Sequence, residues 1–324
     1  MAYSGPTTVA TLDALLQALV DWAVANAGFT DEGNISPPSG RTTTYMYRLS
    51  KGGMYWYFMG DDVTVGGLPD GYIEFRCQTA LPTSANYSSI SVGPNQITRA
   101  QLWRNTTGPY TAYNFFTDGS CVHVVLEVSS GVFSHFSFGK VTKFGTWTGG
   151  EYTTAWYSTS YATSGDIGYN FNGGTAAFSG GGTSSSYSGQ VYYPVGSFGD
   201  YRDWARISSQ VTNSQRAQFM TFINFNTNPS IYNASLMGPI YYCGGNSVNQ
   251  RAAMFPQYLL LYQSTLTSNW LAGYADHVKY LNIEFINAKD IVETEWEVFP
   301  LIQKSGDKTV APLSANVGLA YRRA

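Results

Sequence analysis

Charge is scarce in this chain. Asp, Glu, Lys and Arg make up 12% of 324 residues, about half the roughly 25% of an ordinary soluble domain. No basic block is present, the net charge is −3 and the pI is about 5.6, which argues against a dedicated nucleic-acid binder. No apolar run approaches the roughly 18 residues needed to cross a bilayer, so no membrane span is expected. The start of the chain lacks the basic segment and continuous apolar core of a secretory signal. Cysteine is rare as well: Cys77, Cys121 and Cys243 are widely spaced and odd in number, with no Cys-x-x-Cys. That excludes a zinc ribbon or a redox motif and suits buried thiols in a protein made in a reducing cytoplasm.

Tyr, Ser, Thr, Asn and Gly fill the space that charge leaves. Aromatics reach 16%, with 25 Tyr and 18 Phe, and there are 34 Gly. Such a chain buries a core, so general disorder is excluded. A free globule normally carries a surface that is about 25–35% charged. A neutral, Tyr-rich exterior instead fits a surface covered by partners, or an adaptable binding surface. Composition thus favours a structural or binding protein over an enzyme.

Periodicity predicts one long helix, near the start. Val9, Leu12, Leu15, Leu16, Leu19, Val20 and Ala23 follow a 3.6-residue period, Thr7 or Thr8 caps the start, and Gly28 ends it. Its apolar stripe, with Trp22, is expected to dock on its own fold, with contact to a neighbouring subunit as the alternative. From Asn34 onward, short strands and turns dominate. Tyr45–Leu49 and Met54–Met59 read as a hairpin around Lys51-Gly52-Gly53, and Tyr72–Thr79 reads as a strand. Residues 164–190 are rich in Gly, Ser and Thr and read as a long insertion or arm. Trp204–Phe222 has weak helical character, while Ala253–Tyr262, Val278–Phe285, Ile291–Leu301 and Val317–Tyr321 read as strands. The expected fold is mainly β (α+β): an antiparallel, β-sandwich-like body with an N-terminal α-helix and long loop insertions. Residues 1–30 form the N-terminal helical segment, and residues 31–324 the β-rich body with its insertion around 164–190.

The clearest hairpin joins Cys121–Val128 to Val132–Phe138 around Ser129-Ser130-Gly131. A three-residue loop sets His123 opposite Ser137 and His135 opposite Val125. Both imidazoles then share one face as diagonal neighbours, about 7–8 Å apart, and Cys121 lies on that face too. Imidazole and thiolate suit zinc or iron, so His123 and His135 are the candidate metal ligands, against ordinary hydrogen-bonded histidines. His277 is the third histidine of the chain. A two-residue loop would shift the register and separate the pair.

Other chemistry lacks its signature. No Gly-x-Ser-x-Gly stands in a strand–turn–helix setting, and no Gly-Lys-Ser/Thr follows the glycine-rich stretches. Glu293, Glu295 and Glu297 have strand spacing and read as a solvated face beside inward-facing Trp296 and Val298, not as the paired carboxylates of a glycosidase. No catalytic or cofactor-binding residues are expected, and the only cofactor the residues suggest is a metal ion at the histidine pair.

Two blocks carry a resemblance. The first runs from Val122-His123-Val124-Val125-Leu126-Glu127-Val128 through Phe133-Ser134-His135-Phe136-Ser137-Phe138-Gly139-Lys140 to Gly145-Thr146-Trp147-Thr148-Gly149-Gly150-Glu151-Tyr152. The second is Trp296-Glu297-Val298-Phe299-Pro300-Leu301 with Gly318-Leu319-Ala320-Tyr321. Together they resemble a family of virion structural proteins of tailed bacteriophages and prophages, associated with the tail or baseplate. About a quarter of the chain carries the match. The Gly-Asp turn usual before the Trp-x-x-Phe-Pro strand reads Ala288-Lys289-Asp290 here.

The resemblance implies a non-catalytic role in the virion tail, in or next to the baseplate, with copies of itself and other tail proteins as partners. A receptor- or carbohydrate-binding tail protein, contacting a host surface glycan, and a head decoration protein are the alternatives. Without the family, Trp147 and Trp296 read as core anchors, and Pro300 suits an edge position because it donates no ladder bond.

Overall fold

The structure is a computed structural model. It describes residues 1–36, 44–61, 71–81, 83, 98–102, 108–146, 152–157, 190–192, 204–207, 216–220, 248–249, 251–262, 269–301 and 317–323. The expected insertion at 164–190, Trp147 and Cys243 lie outside these residues, apart from position 190.

The chain opens with a strand, β1 (Ala2–Val9), where the helical segment was expected to begin. The helix α1 covers Leu12–Ala27. Val9, Thr7 and Thr8 therefore belong to β1, and Thr11 is the cap, its hydroxyl oxygen accepting from the Ala14 amide at 3.2 Å. The polar run Tyr3-Ser4-Gly5-Pro6-Thr7-Thr8 has no apolar alternation to mark it as a strand. Pairing with a later strand recruits it. Gly28 ends the helix with φ +65°, a left-handed position that favours glycine. Leu12, Leu15, Leu16, Leu19, Val20 and Ala23 are all buried on the chain's own core.

Two sheets follow. The smaller contains β2 (Thr30–Ile35), β3 (Met46–Lys51), β4 (Met54–Asp61), β5 (Gly71–Gln78) and β6 (Thr98–Leu102), antiparallel in that order. Gly52 and Gly53, both at positive φ, close the β3–β4 hairpin in two residues, the mirror-image turn that matches strand twist. The larger sheet starts with β7 (Tyr110–Thr117), β8 (Cys121–Ser129), β9 (Val132–Lys140) and β10 (Thr142–Lys143). It continues through β11 (Tyr152–Tyr157), β12 (Gln190–Tyr192), β13 (Trp204–Ile207) and β14 (Arg216–Met220). It ends with β15 (Met254–Tyr262), β16 (Asn269–Asn282), β17 (Ile291–Val292), β18 (Trp296–Pro300) and β19 (Val317–Arg322). Among the described residues its order is β1-β7-β8-β9-β11-β12-β13-β14-β15-β16-β19-β18-β17, with β10 on β16. The fold is mainly β and antiparallel with one described helix; β13 and β14 pair in parallel.

Three expectations are corrected here. Trp204–Phe222 holds strands β13 and β14 in place of helical character. The strand expected over Val278–Phe285 begins at Asn269 and stops at Asn282. Ile291–Leu301 is not one strand: Glu293 and Thr294 take positive φ and turn the chain between β17 and β18. The three glutamates therefore share no exposed face. Glu295 pairs with Arg322 at 3.0 Å, and Glu297 is buried, with Arg323 3.6 Å away.

The layers explain the core. The even-numbered side chains Val122, Val124, Leu126 and Val128 of β8 join Phe136 and Phe138 of β9, the helix stripe, and Trp56, Phe58 and Phe75 of the smaller sheet in one cluster. The larger sheet curls so that β18 and β19 cover the opposite face of β7–β9. Phe116 stacks on Tyr321 at 5.0 Å, Phe133 meets Phe299 edge-on at 5.7 Å, and Lys289 pairs with Glu127 at 2.7 Å. Strand β8 is consequently buried from Cys121 to Val128. A strand covered on both faces reads as a continuous apolar run, which Val122–Val128 nearly is. Trp296 sits buried in a second cluster with Leu281, Ile283 and Val298.

Candidate metal centre

The β8–β9 hairpin sets the site. His123 lies opposite Ser137 and His135 opposite Val125, the expected register. The turn itself differs from expectation. Ser129 pairs with Val132, so two residues close it, and a bulge between Glu127 and Ser129 restores the register that a bare two-residue loop would shift. Gly131, at φ +73°, fits the turn, and its amide donates to Glu127 Oε1 at 2.9 Å.

Odd-numbered side chains of this hairpin face β16, β18 and β19, and there the two histidines part. His135 stacks almost parallel on Tyr321, its Nδ1 2.9 Å from the Tyr321 hydroxyl and its Nε2 2.8 Å from the Pro300 carbonyl. Burial holds its pKa down at about 4, although the Pro300 carbonyl opposes the shift. Both ring nitrogens thus face protein partners.

His123 meets a different group. Its Nε2 points at Nε2 of His277 on β16, with ring centroids 3.9 Å apart. Its Nδ1 is bonded to Ser137 Oγ. Cys121, two residues earlier on the same strand face, completes a triad: Cys121 Sγ and one nitrogen of each ring lie within 4.8 Å of one another. The three residues are 1%, 0% and 2% exposed. The structure brings together Cys121 and His123, which the hairpin parity placed on one face, and it sets His135 outside the group.

The turn before β8 supplies an outer carboxylate. Asp118 Oδ1 accepts the amides of Ser120 and Cys121 at 2.7 and 2.9 Å, and Oδ2 lies 3.3 Å from Nδ1 of His277. Burial pushes the Asp118 carboxyl up, but the His277 ring and the two amides outweigh it and hold it well below the usual carboxylate range. An ionised carboxylate only accepts, so Asp118 faces the Nδ1 edge of His277 as an acceptor, while Nε2 of that ring is turned to His123. Lys51 fixes the same turn from the other side, donating to the carbonyls of Gly119 and Ala27. Burial drives the His123 pKa well below its ordinary value, with the neighbouring His277 adding to the effect. Burial likewise pushes the Cys121 thiol up, and its Sγ donates to the Phe138 carbonyl at 3.1 Å.

Sequence reasoning did not place His277 or Asp118. Asp118-Gly119-Ser120 is a turn signal legible in the chain, but nothing local connects it to a histidine some 154 residues past His123. A scan against models of known protein families finds no match to this chain, and a search of curated proteins finds none either.

Proposed function

We propose that the protein is a structural subunit of a bacteriophage tail, at or next to the baseplate, working through contacts with its own copies and neighbouring tail proteins. The observation that carries this reading is where the chemistry-bearing groups sit. His123, His135, His277 and Cys121 are all buried between layers, where they serve the fold and not a substrate. The residues behind the resemblance behave likewise: Val122–Val128, Phe136, Phe138, Trp296, Phe299 and Tyr321 are interior, as markers of a shared fold would be. The low charge supplies the second support, since a neutral exterior suits burial in an assembly. The reading assigns no catalysis.

Quantitative mass spectrometry of purified particles tests it, with copy number scaled to the tail-tube protein. A fixed small multiple of about three or six, the orders of closed cyclic assemblies, is the expected result. Absence from the particle overturns the proposal. Saturable binding of the isolated chain to host surface glycans would replace it with the receptor-binding reading.

A further inference from the structure

We propose that Cys121, His123 and His277 bind one zinc ion, which fastens β8 to β16 across the layer interface. Three observations converge. The donor set is one thiol sulfur and two imidazole nitrogens, the borderline-soft combination that zinc prefers to hard cations. Both imidazoles present Nε2 inward with a polar group outside: Ser137 Oγ is bonded to Nδ1 of His123, and Asp118 Oδ2 stands 3.3 Å from Nδ1 of His277. That is how metal-ligating histidines are oriented, and the carboxylate–histidine pairing raises ligand basicity. Finally, Nε2 of His277 faces Nε2 of His123 inside a buried layer. A cation between them, also within reach of Cys121 Sγ, satisfies all three donors at once.

The spacing follows from the strand. Cys-x-His puts sulfur and imidazole on one face of β8, with α-carbons about 7 Å apart. The two strands are remote in the order of the larger sheet and share no ladder bond. The ion would therefore add a direct tie between β8 and β16, which pair with each other in no ladder. Binding is balanced by one proton. The Cys121 thiol gives its proton to solvent and exchanges the Phe138 carbonyl for the metal, and each histidine coordinates through an unprotonated Nε2. Zn2+ plus the thiol yields the thiolate complex plus H+. Among the described residues no fourth Cys, His, Asp or Glu joins the group.

The test uses the full chain, stripped of metal by a chelator and then titrated with Zn2+ alone. The expected result is stoichiometric uptake and a Tm raised by about 5 °C when zinc exceeds its Kd a hundredfold. Co2+ in place of zinc should give tetrahedral visible bands and a thiolate-to-cobalt band in the near ultraviolet. Cys121→Ser should abolish the charge-transfer band, His277→Gln should weaken uptake at least about tenfold, and Cys77→Ser should leave both intact. Circular dichroism checks that each variant folds. If neither does, the wild-type titration and cobalt spectrum still decide. A wild-type chain that takes up no zinc and melts at the same temperature with and without it would overturn the proposal and leave a plain histidine–histidine hydrogen bond. So would a thiolate band that survives Cys121→Ser. Neither outcome bears on particle composition, so this inference and the tail assignment fail separately.

Discussion

His135 is held neutral by its surroundings. Its neighbours include the Tyr321 ring and hydroxyl, the Phe299 ring and the Pro300 carbonyl, and burial outweighs the carbonyl's pull towards the imidazolium. With a folded pKa of about 4 against about 6.5 unfolded, the unfolded chain takes up the proton first. The stability from this residue is complete above about pH 6.5 and is lost as pH falls towards 4, to a total of about 3 kcal/mol. Urea unfolding across that window should show a pH slope about one proton smaller in His135→Gln than in wild type. In parallel, the wild-type His135 ring should stay neutral by NMR at pH 5.

At the level of the element, α1 supplies two graded tests. Thr11→Ala removes the Thr11 side-chain cap on the helix start and should cost about 1 kcal/mol, read as a lower urea midpoint with an unchanged m-value. Leu16→Ala, at a fully buried position facing both sheets, should cost about 2–5 kcal/mol through lost burial and a residual cavity. A smaller loss at Leu16 than at Thr11 would mean that the helix does not pack as described. Legibility in the sequence follows the same elements. The helix stripe, the Gly28 stop, and the facing of His123 and Cys121 were readable because period 3.6 and period 2 are local signals. The start of the helix lies later than its periodicity predicts because β1 is held by Tyr110–Thr117, over a hundred residues away. β13 and β14 carry no strand signal because short strands in a mixed stretch lack alternation. The partner of His123 was beyond reach because sheet curvature, not spacing, delivers it.

For the whole molecule, the layering and the scarcity of charge bear together on assembly. Among the described residues the core is built from one chain: helix, smaller sheet and β7–β9 share one apolar cluster, and β16, β18 and β19 pack on the other side. Copies should therefore associate as folded units, without exchanging elements to fill a core. If the proposed tail role holds, the chain should bury above about 2,000 Å² with its neighbours. Sedimentation of the purified protein at rising concentration should show association with no change in circular dichroism. A chain that remains monomeric throughout would count against the tail role.

The double burial of β8 has a consequence for time as well as for packing. Its amides and carbonyls pair with β7 on one edge and β9 on the other, and side chains cover both faces. No small opening releases them to solvent, so exchange from Val122 to Leu126 should require the whole chain to come apart. Deuterium retained in that stretch is a clock for global unfolding. Its exchange free energy should equal the urea value, while amides at the exposed rim of β2 lose their label long before.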